Sequence, residues 1–538
     1  MVHVATTTDD WDLESIPSSE LASLASPSML AEDDHDLEFP GVPPPPDYES
    51  AATLAAIHER IPRLVLDSFI PILTKIQTSL RIEENEYHIV KDIDKAKWEQ
   101  LQEYARCVEE LTLSDAALPK VAASVFFRLG QLQGAKNPLF PVLSKLHITN
   151  TTSSPIPYLE LFFSTSLRSI SIEGIASSSK MTVASFLKKV GAQTKMDHLV
   201  LHSISLLPEI SDAIGYCLHL TSLELTNLTG LLDYSPLEAV AYLSRLKSFR
   251  IDAKDATRAS PSWMSFPEKP KYPRIQSFSF VGNFSILQDI IKDIVDAPLL
   301  RCIYIEVTKY NPIVSLGKKA TGNVPIKEII ELISGRQQTT MTDFTFIVNQ
   351  GLNAFPDKIL QTLSNLQNLT HLDISGTSIP NLDKALCEVT SIWPKLTTLR
   401  FPLTVTDAKA SPGLTLSTLH RIAKSCPDLR LFQGLIIVPG TAPSWSISHP
   451  ANAPVMKHGL TSLLLGSVGN SQLNQMTSTT LSLVHYVARY LYAMFPNIEE
   501  CLTLSNLHPS FWTQVHECLK LCRDAREIDR SRENPISN

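Results

Sequence analysis

The chain has 538 residues, of which 43% are hydrophobic, so it can bury the core of one long domain or two ordinary domains beside a tail. Its net charge of −8 is unevenly distributed, because residues 1–50 hold 12 Asp and Glu and no Lys or Arg. The remainder has 47 basic and 43 acidic residues, a net charge of +4, without a basic block. This distribution argues against nucleic acid as a partner.

The first residues, MVHVATTTDDWDLES, have neither the positive segment nor the apolar segment of a signal peptide. No apolar run reaches the roughly 18 residues of a membrane span. The 8 Cys are scattered along the chain, as reduced thiols are, rather than arranged as a disulfide framework. We therefore predict a protein of the cytoplasm or nucleus, without a membrane segment.

Residues 1–50 are predicted to be a disordered acidic tail, because they are charged and poor in large apolar side chains. The tail ends in a proline-rich stretch, PPPPDYES, in which Pro45, Pro46 and Tyr48 match the peptide that WW domains bind. Two interpretations stay open for this stretch. It is either a docking site for a WW-domain ubiquitin ligase or a plain linker before the folded region.

Residues 51–107 are predicted to be a helical N-terminal cap. Within them, IPRLVLDSFIPIL echoes the opening of an F-box, the element that joins a cullin-type ubiquitin ligase. The residues that carry this echo are Pro62, Leu64, Val65 and Phe69. The alternatives are therefore an apolar capping helix and a degenerate F-box.

From residue 108 onward one pattern recurs: apolar, two residues, apolar, one residue, apolar. Clear copies are VEELTL, LSKLHI, LRSISI, MDHLVL, LTSLEL, LKSFRI, IQSFSF, LRCIYI, MTDFTF, LTHLDI, LTTLRF and LTSLLL. Of the 11 intervals between these 12 copies, 8 fall between 24 and 29 residues, which is the period of leucine-rich repeats.

Each motif predicts a short strand, because its last two apolar residues are two apart and point to one face. Helical stretches lie between the motifs; FSILQDIIKDIVDAP, for example, has apolar pairs at four-residue steps. A strand and helix cannot bury both apolar faces alone, but stacked copies can. The predicted fold class is α/β, a leucine-rich-repeat solenoid over 108–505 with a curved parallel sheet inside and helices outside. Residues 506–538 are predicted to be a C-terminal capping helix and tail.

The start of the repeats resembles that of fungal F-box/leucine-rich-repeat (ribonuclease-inhibitor-like) proteins. The matching residues are Trp98, Tyr104, Ala105, Val108, Leu111 and Leu113. The resemblance implies a non-catalytic substrate-recognition adaptor in ubiquitin ligation, with a cullin-ligase adaptor as partner. A WW-domain ubiquitin ligase is the partner that the PPPPDYES stretch implies if it is a docking site. The alternative is a leucine-rich-repeat scaffold that is unconnected to ubiquitin. In both cases we expect a monomer.

No catalytic motif accompanies the repeats: GxSxG, GxGxxG, HExxH and a phosphate-binding loop are all missing from the sequence. His198 and His202 lie on a predicted strand, about 13 Å apart, too far to share a metal ion. On a predicted helix, Cys518 and Cys522 have the spacing of core residues. We therefore predict no enzyme activity, no cofactor and no metal site.

The side chains that alternate with the buried pairs are predicted to line the open, concave face of the sheet and to bind a protein partner. They are His198, His202, Glu224, Arg250, Asp252, Tyr304, Glu306, His371, Asp373 and Arg400. The partner is expected between the repeats at 246 and 396, against the long loop 307–325; a second long insertion fills 434–459. Glu224 with Arg250, and Asp373 with Arg400, could instead simply pair with each other across neighbouring strands.

Overall fold

The chain divides into two units, Met1–Ile61 and Pro62–Asn538. The computed structural model describes parts of the second unit only. These are residues 63–114, 119–133, 138–149, 156–175, 179–203, 208–232, 240–258, 272–311, 324–352, 354–403, 413–438, 456, 458–468, 478–503 and 509–533.

One fifteen-stranded parallel sheet runs through this unit, and its strands lie side by side in chain order. They are β1 (Leu64–Leu66), β4 (Val108–Ser114), β6 (Lys145–Thr149), β7 (Ser169–Glu173), β8 (His198–His202), β9 (Ser222–Thr226), β11 (Ser248–Ala253), β13 (Ser277–Asn283), β14 (Cys302–Lys309), β15 (Asp343–Val348), β16 (His371–Ser375), β17 (Thr398–Arg400), β18 (Leu431–Ile437), β19 (Ser462–Val468) and β20 (Glu500–Thr503).

Five further strands form two small sheets. β2 (Leu80–Glu83), β3 (Glu86–Ile89) and β5 (Lys120–Val121) make one, and β10 (Thr229–Leu232) pairs with β12 (Asp255–Arg258) in the other. Consecutive parallel strands of the main sheet need crossovers, and most crossovers contain a helix. Short 3₁₀ helices occupy Thr74–Ser79, Ile156–Phe162 and Thr390–Ile392.

Twelve α-helices lie in the described ranges. They are α1 (Ile70–Leu73), α2 (Lys95–Ala105), α3 (Ala123–Gln133), α4 (Lys180–Gln193), α5 (Pro208–Gly215), α6 (Phe284–Ile294), α7 (Val324–Arg336), α8 (Ile359–Leu363), α9 (Leu382–Val389), α10 (Leu416–Ser425), α11 (Ser478–Met494) and α12 (Pro509–Glu533). From α6 to α12 each helix contacts the next, as α4 contacts α5. The predicted α/β leucine-rich-repeat solenoid is confirmed.

The repeat motif explains the core between these layers. The last two apolar residues of each motif are buried and stack on those of the next strand, as Leu223 does on Phe249 and Phe249 on Phe278. On the helical side, Leu287, Ile291 and their apolar neighbours in α6 are equally buried. Fully burying one such side chain contributes about 1.5–3 kcal/mol. Each repeat therefore depends on the next for its stability.

The residue before each strand links the repeats through its carbonyl group. The Arg168 carbonyl, for example, accepts hydrogen bonds from the backbone N–H groups of both Asp197 and His198 in the next repeat. The same arrangement recurs at Thr221, whose carbonyl accepts from Lys247 and Ser248. These bonds fix the N-terminal edge of the sheet, where the strands begin.

The end of β16 requires glycine. Gly376 has φ +96°, and a Cβ atom there would lie 2.1 Å from the Val348 carbonyl oxygen. Only a residue without a side chain can adopt this conformation so close to the neighbouring repeat.

A buried histidine joins two repeats near the C-terminal end. His458 Nε2 lies 2.9 Å from the Cys426 carbonyl oxygen, while the Leu460 N–H donates to Nδ1 at 3.1 Å. These bonds fit the neutral ring with its hydrogen on Nε2. Burial lowers the pKa of His458 below its ordinary value, since the charged form would lose its water.

The segment before residue 108 differs from the helical cap that the sequence predicts. It contains β1, which pairs with β4 and extends the main sheet, and the β2–β3 hairpin as well as α1 and α2. Leu64-Val65-Leu66 alternates with the period of a strand, so tertiary pairing overrides the helical reading of the residues around it. Within the described residues, the main sheet therefore begins at Leu64 rather than at residue 108.

At the other end, α12 packs on α11 and β20. Its first turns bury Phe511, Trp512 and Val515. Cys518 and Cys522 are half-buried on the same helix, and the Cys518 Sγ lies 3.7 Å from His485 Nδ1. Across the described ranges, no His, Cys, Asp or Glu side chains group in threes that could hold a metal ion. Nor does any helix in these ranges combine the length and apolar character needed to cross a bilayer.

Candidate partner-binding face

The open face of the sheet carries a row of side chains that the strand register aligns. From β9 to β17 the row runs along residues that pair directly across neighbouring strands: Glu224, Arg250, Ser279, Tyr304, Thr345, Asp373 and Arg400. Neighbouring strands lie about 4.8 Å apart, so a partner touching one of these side chains is within reach of the next. Five of the ten predicted residues therefore lie in a single row.

The other five predicted residues lie in the two flanking rows. His198 and His371 belong to the row nearer the N-terminal edge, which also contains Cys302 and Asp343. His202, Asp252 and Glu306 lie nearer the C-terminal ends of their strands. His198 and His202 are two rows away from each other on one strand.

Two ion pairs lie within the central row, each between neighbouring strands. Arg250 Nη1 lies 4.0 Å from Glu224 Oε2, and Arg400 Nη1 lies 3.7 Å from Asp373 Oδ2. Mutual pairing, one of the two alternatives that the sequence leaves open, is therefore present. The exposed Glu224–Arg250 pair contributes only about 0–1 kcal/mol, so a partner's charges can compete with it, whereas Asp373 is buried beside Arg400.

Tyr304 is the aromatic centre of the row. Its side chain is 37% exposed, and its hydroxyl donates to Glu306 Oε2 at 2.8 Å. The second oxygen, Glu306 Oε1, accepts from Asn349 Nδ2 at 2.9 Å. Burial and the hydrogen bond to Glu306 raise the pKa of Tyr304 to about 12, so the phenol stays protonated. The ring is thus held in a fixed orientation while much of its surface remains open.

Asp373 is almost fully buried although it belongs to the open face. Its Oδ1 accepts from the Ser375 hydroxyl at 2.7 Å, and Arg400 lies beside Oδ2. A buried carboxylate needs such partners, because desolvation without them is costly. Next to it, burial lowers the pKa of His371, so this ring is neutral at pH 7. The cluster at β16 and β17 is therefore tightly organised around one carboxylate.

The two histidines of β8 have separate partners. His202 Nδ1 lies 2.7 Å from Thr226 Oγ1, and its Nε2 lies 3.7 Å from Glu173 Oε1. His198 Nε2 lies 3.9 Å from Asp197 Oδ1. Each ring thus belongs to a polar contact of the sheet surface.

Sequence reasoning selected charged and aromatic side chains and passed over the small polar ones. Ser279 and Thr345 flank Tyr304 in the same row, and Asn349 holds Glu306. The two-residue alternation in the sequence also places Ser279 and Thr345 on the open face, so both could have been predicted. Asn349 lies just beyond the end of β15, where alternation does not apply.

The long segment after β14 begins in contact with the sheet. Tyr310 donates its backbone N–H to the Gln350 carbonyl at 2.8 Å, and its ring centroid lies 4.7 Å from that of Phe284. Of the predicted loop 307–325, residues 312–323 lie outside the described residues. The same holds for 439–455 and 457 in the second insertion, for Pro45, Pro46 and Tyr48, and for Pro62.

The remaining F-box-like residues lie in the first turn of the solenoid. Leu64 and Val65 belong to β1. Val65 is 63% exposed, whereas Phe69 is buried against the rings of three phenylalanines. Phe69 is therefore a core residue and presents no surface to a partner.

Comparison with known proteins gives little more. No protein-family model matches the chain, and no curated protein sequence matches it. Among solved structures it is similar to an internalin from Listeria monocytogenes, with 13% identity and a TM-score of 0.36 over 68% of this chain and 86% of that one. The fold assignment rests on the sheet and the repeat of the chain itself.

Proposed function

We propose that this chain is a non-catalytic protein-binding solenoid whose partner lies across the open face between β11 and β17. The observation that carries the proposal is Tyr304, a partly exposed aromatic side chain fixed by Glu306 in the middle of a polar row. Aromatic and arginine side chains dominate the energetics of protein interfaces. In this row, Arg250 and Arg400 lie on either side of the ring.

The proposal is tested by capturing partners with the full chain and comparing Tyr304→Ala and Arg250→Glu with wild type, because Arg250 is exposed and its only ion pair within the described residues is with the exposed Glu224. Each change should weaken binding of a captured partner about tenfold or more, as expected for central interface residues, without lowering the melting temperature. The matched control is Lys384→Glu, an exposed charge reversal on the helical side. Normal binding by both face variants, together with lost binding by the control, would assign the partner to the helices instead.

The narrower role is a substrate-recognition adaptor in ubiquitin ligation, which the resemblance at Trp98–Leu113 supports. Ala105, Val108, Leu111 and Leu113 are buried. A packing role accounts for these matches equally well, so the alternative scaffold role stays beside it. Affinity purification with mass spectrometry separates the two: cullin-ligase or WW-domain ligase subunits support the adaptor, and an assembly lacking both supports the scaffold.

Recruitment of a ligase adaptor by the F-box-like segment has to be tested with a variant that leaves the core intact. Val65→Asp is suitable because Val65 is exposed, whereas Phe69→Asp would place a charge in the core. If the segment recruits a cullin-ligase adaptor, Val65→Asp should reduce co-purification of that adaptor while the melting temperature stays close to that of wild type. Unchanged co-purification removes Val65 from that role.

A further inference from the structure

The N-terminal edge of the sheet collects cations that are far apart in the sequence. The turns that lead into β7, β8, β11, β13 and β14 carry six of them, here called the basic edge: Arg168, Lys195, Arg245, Lys247, Arg274 and Arg301. All six side chains are exposed. Within the described residues none of them forms an ion pair with a carboxylate. The Arg168 guanidinium donates to the Lys195 carbonyl, at 3.0 Å.

Few carboxylates offset these charges. Among the described residues of the same turns, including the one that leads into β9, the carboxylates are Asp197 and Asp296. Asp296 pairs with Arg336, at the end of α7, and Asp197 lies 3.9 Å from His198. Within the described part of these turns, six cations against two carboxylates leave a charge of +4. Such a concentration raises the local density of anionic groups around a surface.

Exposed apolar side chains lie among the cations. Tyr216, Leu218, Tyr242 and Leu299 are 54%, 56%, 67% and 43% exposed, and each occupies a turn at the N-terminal edge. The first three line a groove of about 670 Å³ between the ends of α4 and α5, and its wall also carries a carboxylate, Asp212, and a cation, Lys188. Lys188 Nζ, on the groove wall, lies 5.5 Å from the centre of the Tyr216 ring. Large exposed apolar side chains grouped in this way mark interaction sites.

The partner must therefore offer both negative charge and apolar side chains. We propose that the basic edge and its groove bind an acidic, amphipathic segment of a protein, in which carboxylates alternate with Leu or Phe. A sugar–phosphate backbone would satisfy the cations but leave Leu218 and Leu299 facing polar groups. The edge from β7 to β14 spans five strand spacings, roughly 24 Å, which an extended segment of about seven or eight residues covers.

This surface differs from the open face of the proposed function. The central row of that face lies near the middle of the strands. From β14 to β17, the three rows of the face together carry the carboxylates of Glu306, Asp343 and Asp373, against Arg400 and the exposed Lys309 at the end of β14. An acidic segment would be repelled there and attracted to the basic edge. The two surfaces can therefore hold different parts of an assembly.

The test uses the full chain and a fluorescein-labelled peptide of about twelve residues made of Asp, Glu, Leu and Phe. Fluorescence anisotropy should show binding that weakens about tenfold between low and high salt, because exposed charges are screened. The combined variant Lys195→Glu, Lys247→Glu and Arg301→Glu should weaken binding about tenfold or more at low salt. A second peptide with Ser in place of Leu and Phe should also bind more weakly.

The matched control reverses three exposed lysines on the helical side: Lys358→Glu, Lys384→Glu and Lys424→Glu. This control has the same net charge as the edge variant and should bind the peptide within about twofold of wild type. Equal losses in both variants would show that only net charge matters and would overturn the proposal. It is equally overturned if no peptide binds, or if a single-stranded uridine oligonucleotide of similar length binds more tightly than the peptide.

Discussion

Removal of the Phe69 ring should detach the first turn of the solenoid. Phe69 is 3% exposed, and its ring centroid lies 5.1, 6.0 and 6.3 Å from those of Phe126, Phe162 and Phe140. Replacement of a buried phenylalanine by alanine costs about 3–5 kcal/mol through lost burial and the cavity that remains. A repeat array can lose an end turn while the rest stays folded, so the effect should concentrate near residues 63–114.

Hydrogen exchange measured by mass spectrometry reports this local loss. The Leu64 amide donates to the Cys107 carbonyl at 2.9 Å, so it is protected only while β1 is docked. In Phe69→Ala, amides of β1 and β4 should exchange faster by on the order of a hundredfold, the factor that about 3 kcal/mol represents. Val65→Ala is the control, since Val65 is exposed and its truncation should change exchange little. Equal exchange in the two variants would refute the core assignment of Phe69.

Three other outcomes follow from the structure and the sequence. Gly376→Ala should lower the free energy of unfolding by about 2–3 kcal/mol, whereas Gly335→Ala, with open space around the new methyl group, should not destabilise; urea denaturation measures both. The folded state holds His458 neutral with a lowered pKa, so the unfolded state binds a proton at this residue more tightly. His458 therefore does not reduce the free energy of unfolding above about pH 6.5, and it lowers that free energy on acidification below this pH. His458→Gln should flatten this slope in melting experiments between pH 7 and pH 5, and an unchanged slope would exclude His458 as its source. A peptide spanning 41–50 should bind WW domains in calorimetry and lose binding in Tyr48→Ala; equal, negligible heats for both would leave the stretch a linker.

The repeat predicted the fold because its physics is local. In LTSLEL, the positions of Leu223 and Leu225 determine which face of β9 is buried, and the next copy, 26 residues later, determines the register with Phe249 and Ile251. The same alternation predicts Tyr304 and Arg400 for the open face, and the strand register aligns them in one row. Both inferences need only a period of two and a repeated spacing.

The start of the sheet could not be predicted in this way. β1 has three residues, and its pairing with β4 joins positions more than forty residues apart. The residues around it are rich in good helix formers, so local propensity and tertiary pairing disagree there. Pairing prevailed because Leu66 and Phe69 gain burial against residues that come later in the chain.

The basic edge could not be predicted from the sequence either. Arg168, Lys195, Lys247 and Arg301 are 27–54 residues apart from one to the next, so no stretch of the sequence looks basic. A solenoid places equivalent positions of successive repeats about 4.8 Å apart, which turns that spacing into one continuous edge. A search for basic blocks measures separation along the sequence, whereas in this fold the separation in space between equivalent positions of successive repeats determines whether cations form a patch. The near-neutral composition of residues 51–538 does not exclude a charged surface. The charge of a partner therefore has to be inferred from the edge rather than from the net charge.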